Sequence, residues 1–178
     1  AGLDGGGRRS DCLGHFTDWL PTLAAGAGVE LDAERPLDGR NLLPELRGEP
    51  ATRVPRRFWQ WNRYTPRVEC NAAMRDGDWK LVRPGIHAAM TLTPGEGDRD
   101  RDSKNNADAW SDIVREPLPR PELPEVPAAE LYNIALDPLE RNDLAMEEPD
   151  RAAKMLRELE NWFEEVEAER RSLPEYRP

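Results

Sequence analysis

Apolar positions follow a helical period in some stretches of the chain and read as strands in four others. The longest helical stripe begins at Pro149. Ala152, Met155, Leu156, Leu159, Trp162, Phe163 and Val166 share one face, and the other face is charged and mostly acidic, which predicts an amphipathic helix to about Arg171. Pro149 suits the first turn, where a missing N–H breaks no helical bond. Residues 15–28, HFTDWLPTLAAGAG, predict a shorter helix, capped by Thr17 or Asp18, packed through Trp19, Leu20 and Leu23, and stopped by Gly26 and Gly28. Within 36–48, Leu42, Leu43 and Leu46 share one face of a short amphipathic segment after a turn.

In RFWQWNRY (57–64), Phe58, Gln60, Asn62 and Tyr64 take one strand face and Arg57, Trp59, Trp61 and Arg63 the other. Aromatics on both faces predict cover on both sides. VECNAAMR (68–75) and DWKLVR (78–83) flank Asp76-Gly77, a hairpin signal. Residues 84–128 then lose all periodicity. They hold seven prolines and the polar run GDRDRDSKNN, and predict a long surface insertion whose Pro-rich part, PLPRPELPEVP, is extended. AELYNI (129–134) resumes as a strand, and Asp137-Pro138 turns the chain toward the long helix. This order predicts an α+β fold, a small antiparallel sheet with one helix packed across it, preceded by a short helix.

Composition narrows the function classes. The 178 residues suffice for one ordinary domain, or a small one with extended segments. A net charge of −10 argues against gripping a nucleic-acid backbone, which takes clustered Lys and Arg. No apolar run approaches the ~20 residues that span a bilayer. Six Trp argue against wholesale disorder. Cys12 and Cys70 lie in no C-x-x-C pair, and His15 and His87 are the only histidines, so a His/Cys zinc site has no local signature. Two ordinary thiols are expected, with a disulfide left open. Residues 1–9, AGLDGGGRR, lack the apolar stretch of a signal peptide, and a chain opening on Ala1 reads as a processed product or a piece of something longer.

Few motifs carry chemistry. Gly2 and Gly7 have phosphate-loop spacing, but Arg8 and Arg9 stand where Lys and Ser/Thr are required. Asp98, Asp100 and Asp102 imitate the start of a calcium loop, yet Ser103 and Ala109 occupy its Gly and Glu positions. His15 and Asp18, spaced i, i+3, suit a base and its orienter, but no nucleophile is close in sequence and a structural pairing is expected. Trp59, Trp61, Arg63 and Tyr64 combine aromatic rings with guanidinium groups, which suits sugar rings and anions. His87 opens the insertion as a candidate substrate contact. Core packing for the Trp residues and an exposed loop position for His87 are the ordinary alternatives.

Several segments together resemble one family. His15-x-x-Asp18-x-x-Pro21-Thr22-Leu23, then LDGRNL (37–42), FWQWNRYTP (58–66), NAAMRDGDWKLVRP (71–84) and ELYNIALDPLERNDLAMEEPDR (130–151) resemble, in order and spacing, the C-terminal part of sulfatases of the arylsulfatase type, formylglycine-dependent members of the alkaline phosphatase superfamily. Two recurrent features of that family fall on Arg75, Gly77, Trp79, Lys80 and Leu81, and on Glu130, Leu131, Tyr132, Asn133, Asp137, Pro138, Glu140, Asn142, Asp143 and Leu144. The resemblance covers roughly 10–171. It implies a four-stranded antiparallel sheet with a C-terminal helix, the C-terminal subdomain of an alkaline-phosphatase-like α/β enzyme. It divides the chain into a flexible truncated start (1–14), the end of the main domain (15–48), the subdomain proper (57–171, with the insert at 84–128) and a tail (172–178).

The family's chemistry is missing from this sequence. Its nucleophile is a formylglycine made from Cys or Ser in C/S-x-P-x-R, but Cys12 precedes Leu-Gly-His and Cys70 precedes Asn-Ala-Ala. The calcium-binding acids and the catalytic Lys and His have no match either. The resemblance therefore implies a sulfatase fragment that lacks the catalytic centre, with Ca2+ and formylglycine held by upstream residues. Its partners are the missing N-terminal domain and a sulfate ester, carbohydrate being one candidate. Trp61, Arg63 and His87 are the substrate-contact candidates, and the chain alone is expected to be inactive and marginally stable. A related phosphoester or phosphonate hydrolase and a non-enzymatic binding module are the alternatives. The compartment stays open, with a periplasmic or extracellular one allowed by the resemblance.

Overall fold

The computed structural model describes residues 7, 10, 12–34, 37–50, 56–63, 65–106 and 122–172, which fall in two units, Ala1–Arg57 and Phe58–Pro178. Tyr64, most of the expected flexible start, residues 107–121 of the insert and 173–178 of the tail lie outside the described residues.

In the first unit a 3-10 turn, Phe16–Asp18, runs into helix α1, Trp19–Ala27. His15 caps the turn, in place of Thr17 or Asp18. Its Nδ1 accepts the Thr17 N–H at 3.3 Å, and Asp18 Oδ2 accepts the His15 N–H at 2.8 Å. Gly28 ends α1 in the left-handed region at φ 69°, while Gly26 stays inside the helix. The expected core contacts are reversed. Trp19, Leu20 and Leu23 are 66%, 55% and 62% exposed, and Thr22 is the buried residue of α1. Thr22 Oγ1 accepts the Leu42 N–H at 2.9 Å and donates to the Arg40 carbonyl at 3.5 Å, so a polar side chain docks α1 on 40–42. Helix α2, Leu43–Leu46, is a single turn with Leu43 half-buried and Leu46 exposed.

The second unit has the expected α+β architecture, a four-stranded antiparallel sheet in chain order with a helix on one face. Its strands are β1 (Arg57–Gln60), β2 (Ala72–Asp76), β3 (Trp79–Arg83) and β4 (Glu130–Asn133). Gly77, at φ 59°, closes the β2–β3 hairpin, which pairs Met74 with Leu81. β3 then pairs Leu81 with Leu131. Alternation puts Ala72, Met74, Leu81 and Leu131 on one face, where Met155 and Leu159 of α4 (Pro149–Ser172) complete the core. Burying each such large side chain contributes ~1.5–3 kcal/mol. Trp162 stacks on Phe58 with centroids 5.1 Å apart, and Arg151 lies 4.2 Å over the Trp79 ring. The stripe read along α4 packs as expected except at its end, where Val166 is exposed and Glu167 is buried, held by Arg170 Nη2 at 2.6 Å.

Two strands are shorter than expected. β1 stops at Gln60 and β2 starts at Ala72, because the chain between them turns back through Asn71 at φ 53°. The insert also departs from its structureless reading. His87–Met90 is a 3-10 turn, and the polar run forms helix α3, Pro94–Asn105. Thr93 caps α3, Pro94 fills its first turn, and Asp100 pairs with Lys104 at 2.7 Å. A helix that buries none of its residues has no apolar stripe to betray it. The calcium-loop imitation at Asp98, Asp100 and Asp102 is thus helix surface.

Candidate functional site

The three substrate-contact candidates gather at one end of the sheet, beyond the last residue of β1 and of β3. Trp61 is 68% exposed, and Arg63 and His87 are exposed. The backbone brings their segments together. The Trp61 N–H donates to the Asn71 carbonyl at 2.9 Å, and the Arg63 N–H donates to the Ala89 carbonyl at 3.0 Å, which lays 61–63 alongside the turn that carries His87. Beneath them Cys70, Ile86 and Ala89 form a small second core. Cys70 is fully buried, and burial, aided by Glu69, pushes its thiol pKa up, so it behaves as an inert apolar residue. Both thiols are free.

Charges at this end are largely paired. Arg67 holds Glu69 through Nε at 3.3 Å and Nη2 at 3.2 Å, and this bond outweighs burial in keeping the Glu69 carboxyl below its usual range. Arg83 donates to the Val68 carbonyl and to Glu160 of α4. Arg63 lends its charge to Asp100 of α3, whose carboxyl is lowered first by Lys104 and less by Arg63. The two backbone-linked loops thus carry an exposed indole, guanidinium and imidazole.

Asn71, which the sequence reading left without a role, organises these loops. Its Oδ1 accepts the Ile86 N–H at 2.7 Å, and its Nδ2 donates to Asn62 Oδ1 at 3.2 Å and to the Ile86 carbonyl at 3.4 Å. Its N–H donates to the Pro84 carbonyl at 3.1 Å. Asn tolerates positive φ better than most residues, which is the one signal position 71 carried.

His15 and Asp18 do not form a base and its orienter. Asp18 is 1% exposed and its carboxylate takes the backbone N–H groups of His15 and Arg40, each at 2.8 Å, and Arg57 Nη2 at 2.6 Å. Burial alone would raise its pKa, but these donors hold it below the usual carboxylate value. His15 Nδ1 lies 2.9 Å from Thr17 Oγ1, and burial, reinforced by Arg57, lowers the imidazole pKa. Gly39 completes the arrangement, since a Cβ there would stand 1.9 Å from the Thr17 carbonyl oxygen. The segments 15–22 and 37–42 are thus one interlocked structural unit.

Among the described residues, no three His, Cys, Asp or Glu converge as metal ligands, and no helix is long and apolar enough to cross a membrane. No family model matches the chain. Two solved structures are similar over most of its length. BT33336S-sulf, described with the metabolism of multiple glycosaminoglycans by Bacteroides thetaiotaomicron, superposes with a TM-score of 0.45 at 21% identity, over 85% of this chain and 24% of that one. BT4656, solved in complex with its substrate D-glucosamine-2-N,6-O-disulfate, gives 0.41 at 19% identity, over 90% and 25%. The chain therefore spans about a quarter of the length of each.

Proposed function

We propose that this chain is the C-terminal part of a sulfatase that closes the main domain's core and forms one wall of the substrate cleft. The observation that carries this reading is the way the family-like motifs interlock. Lys80 of the first motif reaches Glu140 of the second at 2.7 and 2.8 Å. Asp143 Oδ1 accepts the N–H groups of Leu131 and Ala145, both at 2.9 Å, and Asp137 Oδ2 accepts those of Arg141 and Asn142 at 2.7 and 2.8 Å. The Leu144 N–H returns to the Leu131 carbonyl at 2.8 Å. The two motifs thus hold one another, which is what a set of scattered but ordered motifs needs if it specifies one subdomain.

The residues present do not fit formylglycine or calcium. Neither cysteine lies in C/S-x-P-x-R, and the described acids do not converge. In our reading the nucleophile and the metal ligands belong to residues outside this sequence, and no bond-breaking step runs through this chain. Its contribution is recognition of the alcohol part of the ester. Trp61 offers an apolar face for a sugar ring, Arg63 a planar fork for an anion and His87 a ring nitrogen for a hydroxyl, which favours a carbohydrate sulfate ester.

The test uses the full-length protein. Trp61→Ala, Arg63→Ala and His87→Ala are expected to raise KM about tenfold for sulfated sugars, the equivalent of one lost contact, with little change in kcat for a small aryl sulfate. Unchanged kinetics across several sulfate esters removes the assignment of these residues. The chain alone is expected not to hydrolyse an aryl sulfate, and metal-dependent turnover by it overturns the division of labour. Hydrolysis of phosphate esters but not sulfate esters by the full-length protein moves it to the related hydrolase class.

A further inference from the structure

We infer that Asn71 is a positioning residue that sets substrate preference without touching substrate, by locking the Trp61–Arg63 segment to the turn that carries His87. The inference rests on the reading that these three residues meet the alcohol part of the ester.

Two loops far apart in sequence, 61–63 and 84–90, have to hold their side chains in fixed mutual register if they read one ligand. Their shared fastener is a single residue. The Asn71 backbone carbonyl accepts the Trp61 N–H, its side-chain Nδ2 donates to Asn62 Oδ1, and the same amide group brackets Ile86 by both its N–H and its carbonyl. Ile86 immediately precedes His87. Only the Arg63–Ala89 bond, at 3.0 Å, otherwise joins the two loops among the described hydrogen bonds. The pocket around the amide is close-fitting, because a Cβ on Gly85 would stand 3.2 Å from Asn71 Oδ1.

The positive φ separates this role from mere backbone tolerance. A glycine at 71 keeps φ 53° without strain and removes all three side-chain bonds at once. An aspartate keeps the acceptor for the Ile86 N–H but sets a carboxylate oxygen against two acceptors, Asn62 Oδ1 and the Ile86 carbonyl.

In the full-length protein, Asn71→Gly is expected to raise KM for a sulfated disaccharide about tenfold, as loosely held contacts would, with kcat for a small aryl sulfate within about threefold. A readout independent of turnover accompanies this. Amide hydrogen exchange at Trp61 and Arg63 should accelerate at least about tenfold in Asn71→Gly, while Leu81 and Leu131, in the sheet, keep their protection. Unchanged exchange at Trp61 and Arg63 overturns the locking role. An unchanged KM in Asn71→Gly, where Trp61→Ala raises it, overturns the positioning role alone. An unchanged KM in Trp61→Ala as well overturns the recognition reading and this inference with it.

Discussion

Asp18 in the first unit and Leu81 in the second are both buried, at 1% and 0% exposure, and they show two different ways of holding a chain together. Around Asp18, the first unit is tied by backbone N–H groups, Arg57 and the Thr22 hydroxyl, while Phe16, Trp19 and Leu23 lie exposed. Around Leu81, the second unit turns its apolar residues inward against α4. A polar hub fixes geometry closely but depends on charge and on every donor being in place. An apolar core depends on volume and is indifferent to charge. Exposed apolar residues on the first unit agree with our proposal that it borders a larger core, whereas the second unit carries a core of its own.

Substitutions break this contrast in a graded way. Asp18→Ala should cost most, about 3–5 kcal/mol, because it strands Arg57 as an uncompensated buried charge. Replacing both partners, as Asp18→Ala with Arg57→Met, should recover part of that loss. Chemical denaturation measures both, and a double variant no better than the single one denies the hub its ionic basis. Leu81→Ala should cost about 2–5 kcal/mol through the cavity it leaves, with the loss confined to exchange protection in the sheet and α4.

Gly39→Ala comes next, at about 1–3 kcal/mol, since its Cβ meets backbone rather than a movable side chain. A neutral result would mean that 39 and 17 separate at little cost. At the other end of the scale, Trp19→Ser in this chain by itself should stay within about 0.5 kcal/mol, because the ring is exposed there.

Acid and alkali should release different groups. Asp18 has a folded pKa below its unfolded value of 3.8, so its contribution is complete above that value and is lost as pH falls through the folded pKa. Tyr132 is the reverse. Burial first, then its bond to Glu130 Oε2 at 2.7 Å, raises its pKa, so its contribution is complete below its unfolded value of 10.0 and is lost as pH rises beyond it. Exchange protection at Arg40 should therefore fall below about pH 4, where Glu69 and Asp137 of the second unit also lose their stabilising charge, whereas protection at Tyr132 should fall above about pH 10. Loss at Arg40 in alkali ahead of any loss at Tyr132 would contradict this assignment.

Helix α4 and the β2–β3 hairpin were legible because each buries a periodic face, and periodicity is what a sequence displays, while β4 was legible as a short apolar run before a turn. Helix α3 was not legible, because its stability comes from a cap and ion pairs on a helix with no apolar stripe. Trp19, Leu20 and Leu23 misled because hydrophobicity states what a residue prefers, not which face a neighbouring segment covers. Of the candidate site, Trp61, Arg63 and His87 were identified by residue type, and their nearness was not, since no local pattern joins residues 61–63 to 87.

The sequence by itself determined the α+β order of elements, the hairpin at Asp76-Gly77 and the motif set that resembles one family. These are properties of neighbouring residues and their spacing. Only the tertiary structure decided that Asp18 binds Arg57 and the Arg40 N–H rather than orients a base, that Gly39 is required by the Thr17 carbonyl, and that Asn71 fastens two loops. Each of those depends on a partner 15 to 39 residues away, and such a contact is set by how elements pack rather than by what stands beside them in the chain.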